Sequence, residues 1–265
     1  MKILAFLFIF STLLFSKVYY SKVEPYEIRN ISSNVSGLVL YANQDDIGKK
    51  LSSKPYIKID SELDEEELKT IESKIVNLKS TIVSNEEILK NLKTSLDKKR
   101  ENYKAIESLK IKSQVEKDRE FYDLVNSENA YLNTQKEINS LKIQISDLEL
   151  REIQLKRSIK DKNLSAKGFV LYSVLVKPGQ VVGMATPLAQ VADTSRALLT
   201  IYLDESEITN AQEKSVFIDG VKSKYKISRI LNIADSKNIS KYMAQIIIES
   251  PKLFSKLVRV ELRDE

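Results

Sequence analysis

Leu68-Lys69-Thr70-Ile71-Glu72-Ser73-Lys74-Ile75-Val76-Asn77-Leu78-Lys79-Ser80-Thr81-Ile82 puts an apolar residue at alternating steps of three and four, and this stretch decides how the rest is read. The seam continues through Leu89, Leu92, Leu96, Tyr103 and Ile106, with Asn85 and Lys99 at two of its positions. Heptad spacing sustained this far predicts a helix whose apolar stripe must be covered. From Tyr56 to Lys167 there is no glycine or proline, so nothing forces a break. A second seam follows at Leu124, Tyr131, Ile138, Leu141, Ile145, Leu148, Leu155 and Ile159, interrupted by Ser127, Thr134 and Glu152. A lone helix of this length is marginal in water. Two arms of similar length cover each other by folding back into an antiparallel hairpin about 70 Å long. Its turn is expected at 107–113, with Ser113 capping the descending helix and Glu116 completing a capping box. Asp60 or Ser61 is placed to cap the ascending helix, whose positive end the acidic run Asp64 to Glu67 favours.

The flanks of this stretch match each other. Gly37-Leu38-Val39-Leu40-Tyr41 recurs as Gly168-Phe169-Val170-Leu171-Tyr172. Each copy reaches a further glycine (Gly48, Gly179), then an apolar run from proline to aspartate: Pro55 to Asp60, and Pro187 to Asp193. Two matching β-rich halves, 35–60 and 167–194, imply one domain split by the helical insertion 61–166. Gly179-Gln180-Val181-Val182-Gly183 lacks the Gly-Lys-Ser/Thr ending of a phosphate loop and reads as hairpin turns. Strand-like runs follow at Ala197 to Leu203, Ser215 to Ile218, Tyr225 to Ile233, Tyr242 to Glu249 and Lys256 to Leu262. Their even spacing predicts a small antiparallel β-barrel over 195–263, with one short helix running from Glu205 to Gln212. The segment 22–34, carrying Val23 to Ile31, is expected to add an N-terminal barrel strand. The fold class is therefore α+β.

Composition excludes several chemistries. The chain of 265 residues has no cysteine and no histidine. Thiol nucleophiles, disulfides, histidine bases and the usual zinc sites are absent with them. No catalytic, cofactor-binding or metal-binding residue is expected, and the chain does not read as an enzyme. Its 42 basic and 37 acidic residues are interspersed, so the net charge of +5 describes solvated helix faces and not a nucleic-acid surface. Lys2, the apolar Ile3 to Phe15 and the small Ser16 resemble an export signal over 1–16, too short to match the ~20 residues that span a bilayer. An uncut anchor reaching through Tyr20 is the alternative. Either way the body of the chain is expected outside the cytoplasm.

The layout resembles the periplasmic adaptor (membrane fusion protein, HlyD-like) family. The resemblance rests on the split halves around a hairpin and on Val176-Lys177-Pro178-Gly179-Gln180-Val181-Val182, Pro187-Leu188, Val191-Ala192-Asp193 and Leu203-Asp204-Glu205-Ser206-Glu207-Ile208. It implies that the halves form a biotinyl/lipoyl-like domain. It also implies a role bridging an inner-membrane transporter to a TolC-like outer-membrane channel, as a homo-oligomeric, hexameric ring associated with the inner membrane in the periplasm. The lack of a long N-terminal anchor and the modest hairpin favour a resistance–nodulation–division pump. An ATP-driven exporter, a type I secretion system and a structural envelope coiled coil are the alternatives. The family's tip carries an Arg, a Leu and a Ser. Here Asn102 stands at the Arg position, Ile106 at the Leu and Ser113 at the Ser. With Leu109, Lys110 and Lys112 these form the expected channel-docking tip. A lipoyl or biotin carrier would need a modifiable lysine on an uninterrupted domain, and neither Lys49 nor Lys177 has that setting.

Overall fold

A computed structural model describes residues 17–234 and 240–264; the export signal expected at 1–16 lies outside them. In chain order the strands and helices begin with β1 (Val18–Lys22), β2 (Glu24–Ser32), β3 (Gly37–Ala42) and β4 (Ile57–Ile59). Helices α1 (Glu62–Glu107) and α2 (Gln114–Lys162) follow, then β5 (Asn163–Leu164), β6 (Val170–Val174), β7 (Val181–Val182) and β8 (Pro187–Asp204). A one-turn α3 (Glu205–Ile208) precedes β9 (Ser215–Ile218), β10 (Val221–Lys222), β11 (Arg229–Ala234), β12 (Lys241–Glu249) and β13 (Leu257–Arg263). The chain divides into two compact units, a helical one over 34–40 and 58–164 and a β unit holding the rest. Among the described residues no helix is long and apolar enough to cross a membrane.

In the helical unit, burial follows the seam residue by residue. Ile71, Ile75, Ile82 and Leu96 of α1 and Ile138, Ile145 and Leu155 of α2 are buried. Leu68, Leu78, Leu89, Leu141 and Leu148 pack against this line. The polar seam residues Asn85 and Lys99 are half-buried in their places. Lys99 Nζ donates to the Asp123 carbonyl at 3.4 Å, whereas the buried Asn85 Nδ2 finds no partner. Ion pairs cross between the helices at Lys79–Glu149 (3.0 Å), Lys142–Glu86 (3.4 Å) and Lys156–Glu72 (3.2 Å), a heptad apart along each arm. Exposed pairs of this kind add at most about 1 kcal/mol each, and their main effect is to hold register.

The open end of the hairpin is tied by side chains. Ser158 Oγ donates to Asp64 Oδ2 at 2.5 Å and Lys162 pairs with the same carboxylate at 3.1 Å. Burial pushes the Asp64 pKa up, but these two partners outweigh it and hold the group below its ordinary value. Asn34 Nδ2 donates to Asp161 Oδ2 at 2.9 Å. Asp60 supplies the cap of α1, accepting the Glu62 N–H at 3.1 Å. Ser61 sits at the N-cap position yet gives its hydroxyl to Glu65 at 2.7 Å. Strands β5, β4 and β3 lie side by side in that order. A Cβ at Gly37 would stand 2.7 Å from Ile59 Cγ2, so the close approach there requires glycine.

In the β unit the two flanks of the helical insertion join through their backbones. The N–H groups of Gly48 and Leu51 donate to the carbonyls of Leu171 (2.8 Å) and Phe169 (2.7 Å). In return Gly168 donates to Leu51 (3.1 Å) and Leu171 to Lys49 (3.1 Å). The repeat seen in the sequence is not a repeat of burial. Val39 is buried and Leu40 exposed, while in the second copy it is Leu171 that is buried and Val170 only half-buried. A one-residue slip exchanges the faces of a strand, and β6 carries a register shift against β8 between Leu171 and Ser173. Gly179 takes φ +85 in the turn before β7, with Gln180 N–H donating to Lys177 O at 3.1 Å.

Strand β8 organises the β unit. The sequence suggests two strands, parted by Asp193-Thr194-Ser195-Arg196, but the chain stays extended from Pro187 to Asp204. It exchanges neighbours instead of stopping: β6 and β2 flank its first half, β12 and β2 its second. Arg196 lies over the Tyr26 ring at 3.9 Å, which keeps the polar interlude packed. The sheets β11-β12-β8-β2 and β1-β13-β9-β10 wrap one core as a small barrel. Leu199, Ile201, Leu203, Val216, Ala244, Ile246, Val258 and Val260 fill it.

Two expectations differ from the structure. An anchor cannot reach through Tyr20, because Val18–Lys22 is strand β1, paired with β13 and burying Tyr19. That strand, and not only the 22–34 segment, brings the N-terminal chain into the barrel. The short helix ends at Ile208 and does not continue to Gln212.

Candidate functional site

The hairpin turn is built without glycine or proline, so side-chain caps must close it. Ser108 Oγ donates to the Ala105 carbonyl at 2.8 Å and ends α1. Ser113 begins α2 with a full capping box: its Oγ accepts the Glu116 N–H at 3.3 Å, and Glu116 Oε2 accepts the Ser113 N–H at 3.0 Å. Lys112 Nζ pairs with Glu116 at 2.9 Å. That ammonium, followed by the Ser113 N–H and hydroxyl, pulls the Glu116 pKa down to about 2. Lys117 Nζ reaches across the turn to the Glu107 carbonyl at 3.0 Å, a cation at the negative end of α1. Below the turn, Tyr103 and Phe121 rings meet at 5.8 Å and Arg100 pairs with Glu128 at 2.6 Å.

These contacts sort the six expected tip residues. Asn102 and Lys110 are exposed, and Ile106 is half-buried where it closes the seam. Ser113 and Lys112 are occupied in holding the turn. Leu109 is 47% exposed. Two apolar residues outside the expected set are more open still: Ile111 at 94% and Val115 at 78%. The turn therefore presents Leu109, Ile111 and Val115 beside Lys110 and Lys112, on a backbone fixed from both sides by caps. The turn can offer an apolar contact beside the positive charge of Lys110. Among the described residues no group of three or more acidic side chains gathers to hold a metal ion.

No protein-family model matches the chain, and no curated protein matches it either. Solved structures do. MacA from Actinobacillus actinomycetemcomitans is 19% identical, with a TM-score of 0.63 over 94% of this chain and 79% of its own. The membrane fusion protein Spr0693 from Streptococcus pneumoniae R6 is 11% identical, with a TM-score of 0.53 over 94% of this chain and 100% of its own. The fold is that of the membrane fusion proteins. At these identities the likeness extends to the fold alone, so the part played by the tip residues is argued from this chain's own geometry.

Proposed function

We propose that this chain is a periplasmic adaptor, associated with the inner membrane, which links an inner-membrane exporter to a TolC-like outer-membrane channel. The observation that carries the reading is the turn: a rigidly capped end of a hairpin about 70 Å long that leaves Ile111 and Val115 largely, and Leu109 partly, exposed. Apolar side chains held in water at the end of a rod are accounted for by a partner that buries them. On this reading the chain is not an enzyme. It assembles as a homo-oligomer, a hexameric ring, and serves a resistance–nodulation–division pump.

A photo-crosslinking residue in place of Ile111, followed by purification of the adducts from cells, tests the proposal. The expected adduct is an outer-membrane channel protein, and the expected co-purifying inner-membrane protein is a proton-driven pump. An ATP-driven exporter in its place would overturn the pump class and leave the adaptor role standing. Adducts between copies of this chain alone, with no membrane protein, would replace the adaptor reading by a structural coiled coil.

A further inference from the structure

The outer face of the sheet β1-β13-β9-β10 has a composition the barrel does not need. The inward residues of this sheet, among them Tyr19, Val258 and Val260, fill the core. Facing the other way are Val18, Tyr20 and Lys22 of β1, Leu257, Arg259, Glu261 and Arg263 of β13, Phe217 of β9 and Lys222 of β10. The ladders place them in rows, with Val18 beside Glu261, Tyr20 beside Arg259, Lys22 beside Leu257, and Phe217 between Glu261 and Lys222. Four side chains of this face are basic and one is acidic. Glu261 is only 4% exposed, lying under Arg259 at 2.8 Å and Arg263 at 2.6 Å. Arg263 also covers the Phe217 ring at 4.2 Å. The carboxylate thus lines up two guanidinium groups on the face and cancels only part of their charge. Tyr20, 67% exposed, and Leu257, 62% exposed, stand among these cations.

We infer that this face is a binding surface for an anionic lipid bilayer. Guanidinium groups suit phosphate geometry, basic side chains are drawn to an anionic leaflet at about 1 kcal/mol each, and an exposed tyrosine among aliphatic residues fits the headgroup region. The order of the chain points the same way. The apolar run Ile3 to Phe15 is separated from Val18 by Ser16 and Lys17 alone. That link reaches at most about 10 Å, which is about one screening length at 0.1 M salt. Lys17 is moreover held by Asp204 and Glu207, and Glu207 also accepts the Tyr19 hydroxyl at 2.5 Å. A leader left in the membrane would hold the face at the lipid surface, and once the leader is cut, charge complementarity is what remains to bring it there.

The proposal does not depend on the hairpin tip, and its test reads nothing from the tip. With no native cysteine, the full chain accepts a single environment-sensitive fluorophore at Leu257→Cys, and a control at Ile233→Cys on the exposed side of the other sheet. With phosphatidylethanolamine vesicles containing phosphatidylglycerol, the Leu257→Cys label should shift to the blue and resist aqueous quencher while the Ile233→Cys label does neither. The shift should vanish in zwitterionic vesicles and on raising salt toward 1 M, where screening contracts to about 3 Å. In the Leu257→Cys background, Lys22→Glu with Lys222→Glu, checked for native circular dichroism, should weaken partition into the anionic vesicles about tenfold or more. The salt titration needs no substitution on the basic side chains, so it stands even where the double variant folds poorly. Equal shifts in both lipids, or a shift indifferent to salt, would overturn the inference. So would no shift in either lipid, the outcome expected of a surface made for an acidic protein.

Discussion

The hairpin and the barrel bury their apolar side chains at different densities. Helix α1 buries four side chains over 46 residues, whereas β8 buries eight over 18. A pair of helices can cover only the narrow stripe between them, and every other face meets solvent. A strand enclosed by sheets on both sides of a core has no such restriction. The hairpin is therefore built for reach with stability spread thinly along it, and the β unit concentrates its stability in a closed core.

That contrast can be broken by paired substitutions. Leu199→Ala, in the closed core, should cost about 2–5 kcal/mol, read as a lowered urea midpoint for the amide-exchange protection of the barrel strands. Ile75→Ala, on the seam, should cost about 2 kcal/mol, the lower end of the same range, and show itself in helical ellipticity alone. Equal costs, or loss of both signals together in both variants, would mean that the two units do not unfold separately. Asn85 sharpens the picture, because an amide nitrogen with no partner works against the seam that contains it. Asn85→Leu should raise the thermal midpoint of the helical signal, by about 1 kcal/mol in stability. An unchanged or lowered midpoint would show that the amide is satisfied in solution.

A smaller and more local effect is expected at the turn. Ser113→Ala removes the cap and should cost about 1 kcal/mol, confined to faster amide exchange in the first turn of α2. Glu116 gives the same site a pH dependence. Its folded pKa, about 2, lies below its ordinary value of 4.5. A depressed carboxylate contributes fully above its unfolded pKa and loses that contribution as pH falls through the folded one. Order at the turn should therefore decline between about pH 4.5 and pH 2, followed by the carboxyl chemical shift of Glu116. Glu116→Gln should abolish this dependence and leave the rest of the hairpin unchanged.

The two regions also differed in how openly the sequence declared them. The seam was legible down to its flaws, since Asn85 and Lys99 fall in the line of heptad positions and are half-buried there. Helical spacing reports burial directly, and no distant contact is needed to interpret it. The Ser113–Glu116 capping box was legible for the same reason: its partners are neighbours in sequence. Strand pairing is not local. Val18–Lys22 follows the apolar run Ile3 to Phe15 and so reads as part of an anchor, whereas its ladder with β13 assigns it to the barrel. Asp193 to Arg196 looked like a strand end because nothing nearby in sequence reveals that Tyr26 lies under Arg196. The matching letters of the two β flanks concealed an opposite phase, since similarity of residues does not report which neighbour sets the register. At the turn, periodicity is silent about residues between two caps, so the exposure of Ile111 and Val115 is not legible from spacing, whereas the capping pair Ser113 and Glu116 is.

Docking of a channel by the turn of the hairpin is tested most directly by export in an Ile111→Glu variant. Ile111 is almost wholly exposed, so a carboxylate there should leave protein level, helicity and thermal midpoint as they are. In cells whose resistance to a pump substrate depends on this chain, Ile111→Glu should restore sensitivity to the level seen without the chain, while Ile233→Glu, on the barrel, should not. Wild-type resistance from the Ile111→Glu variant, with the protein present and folded, would contradict docking by the turn.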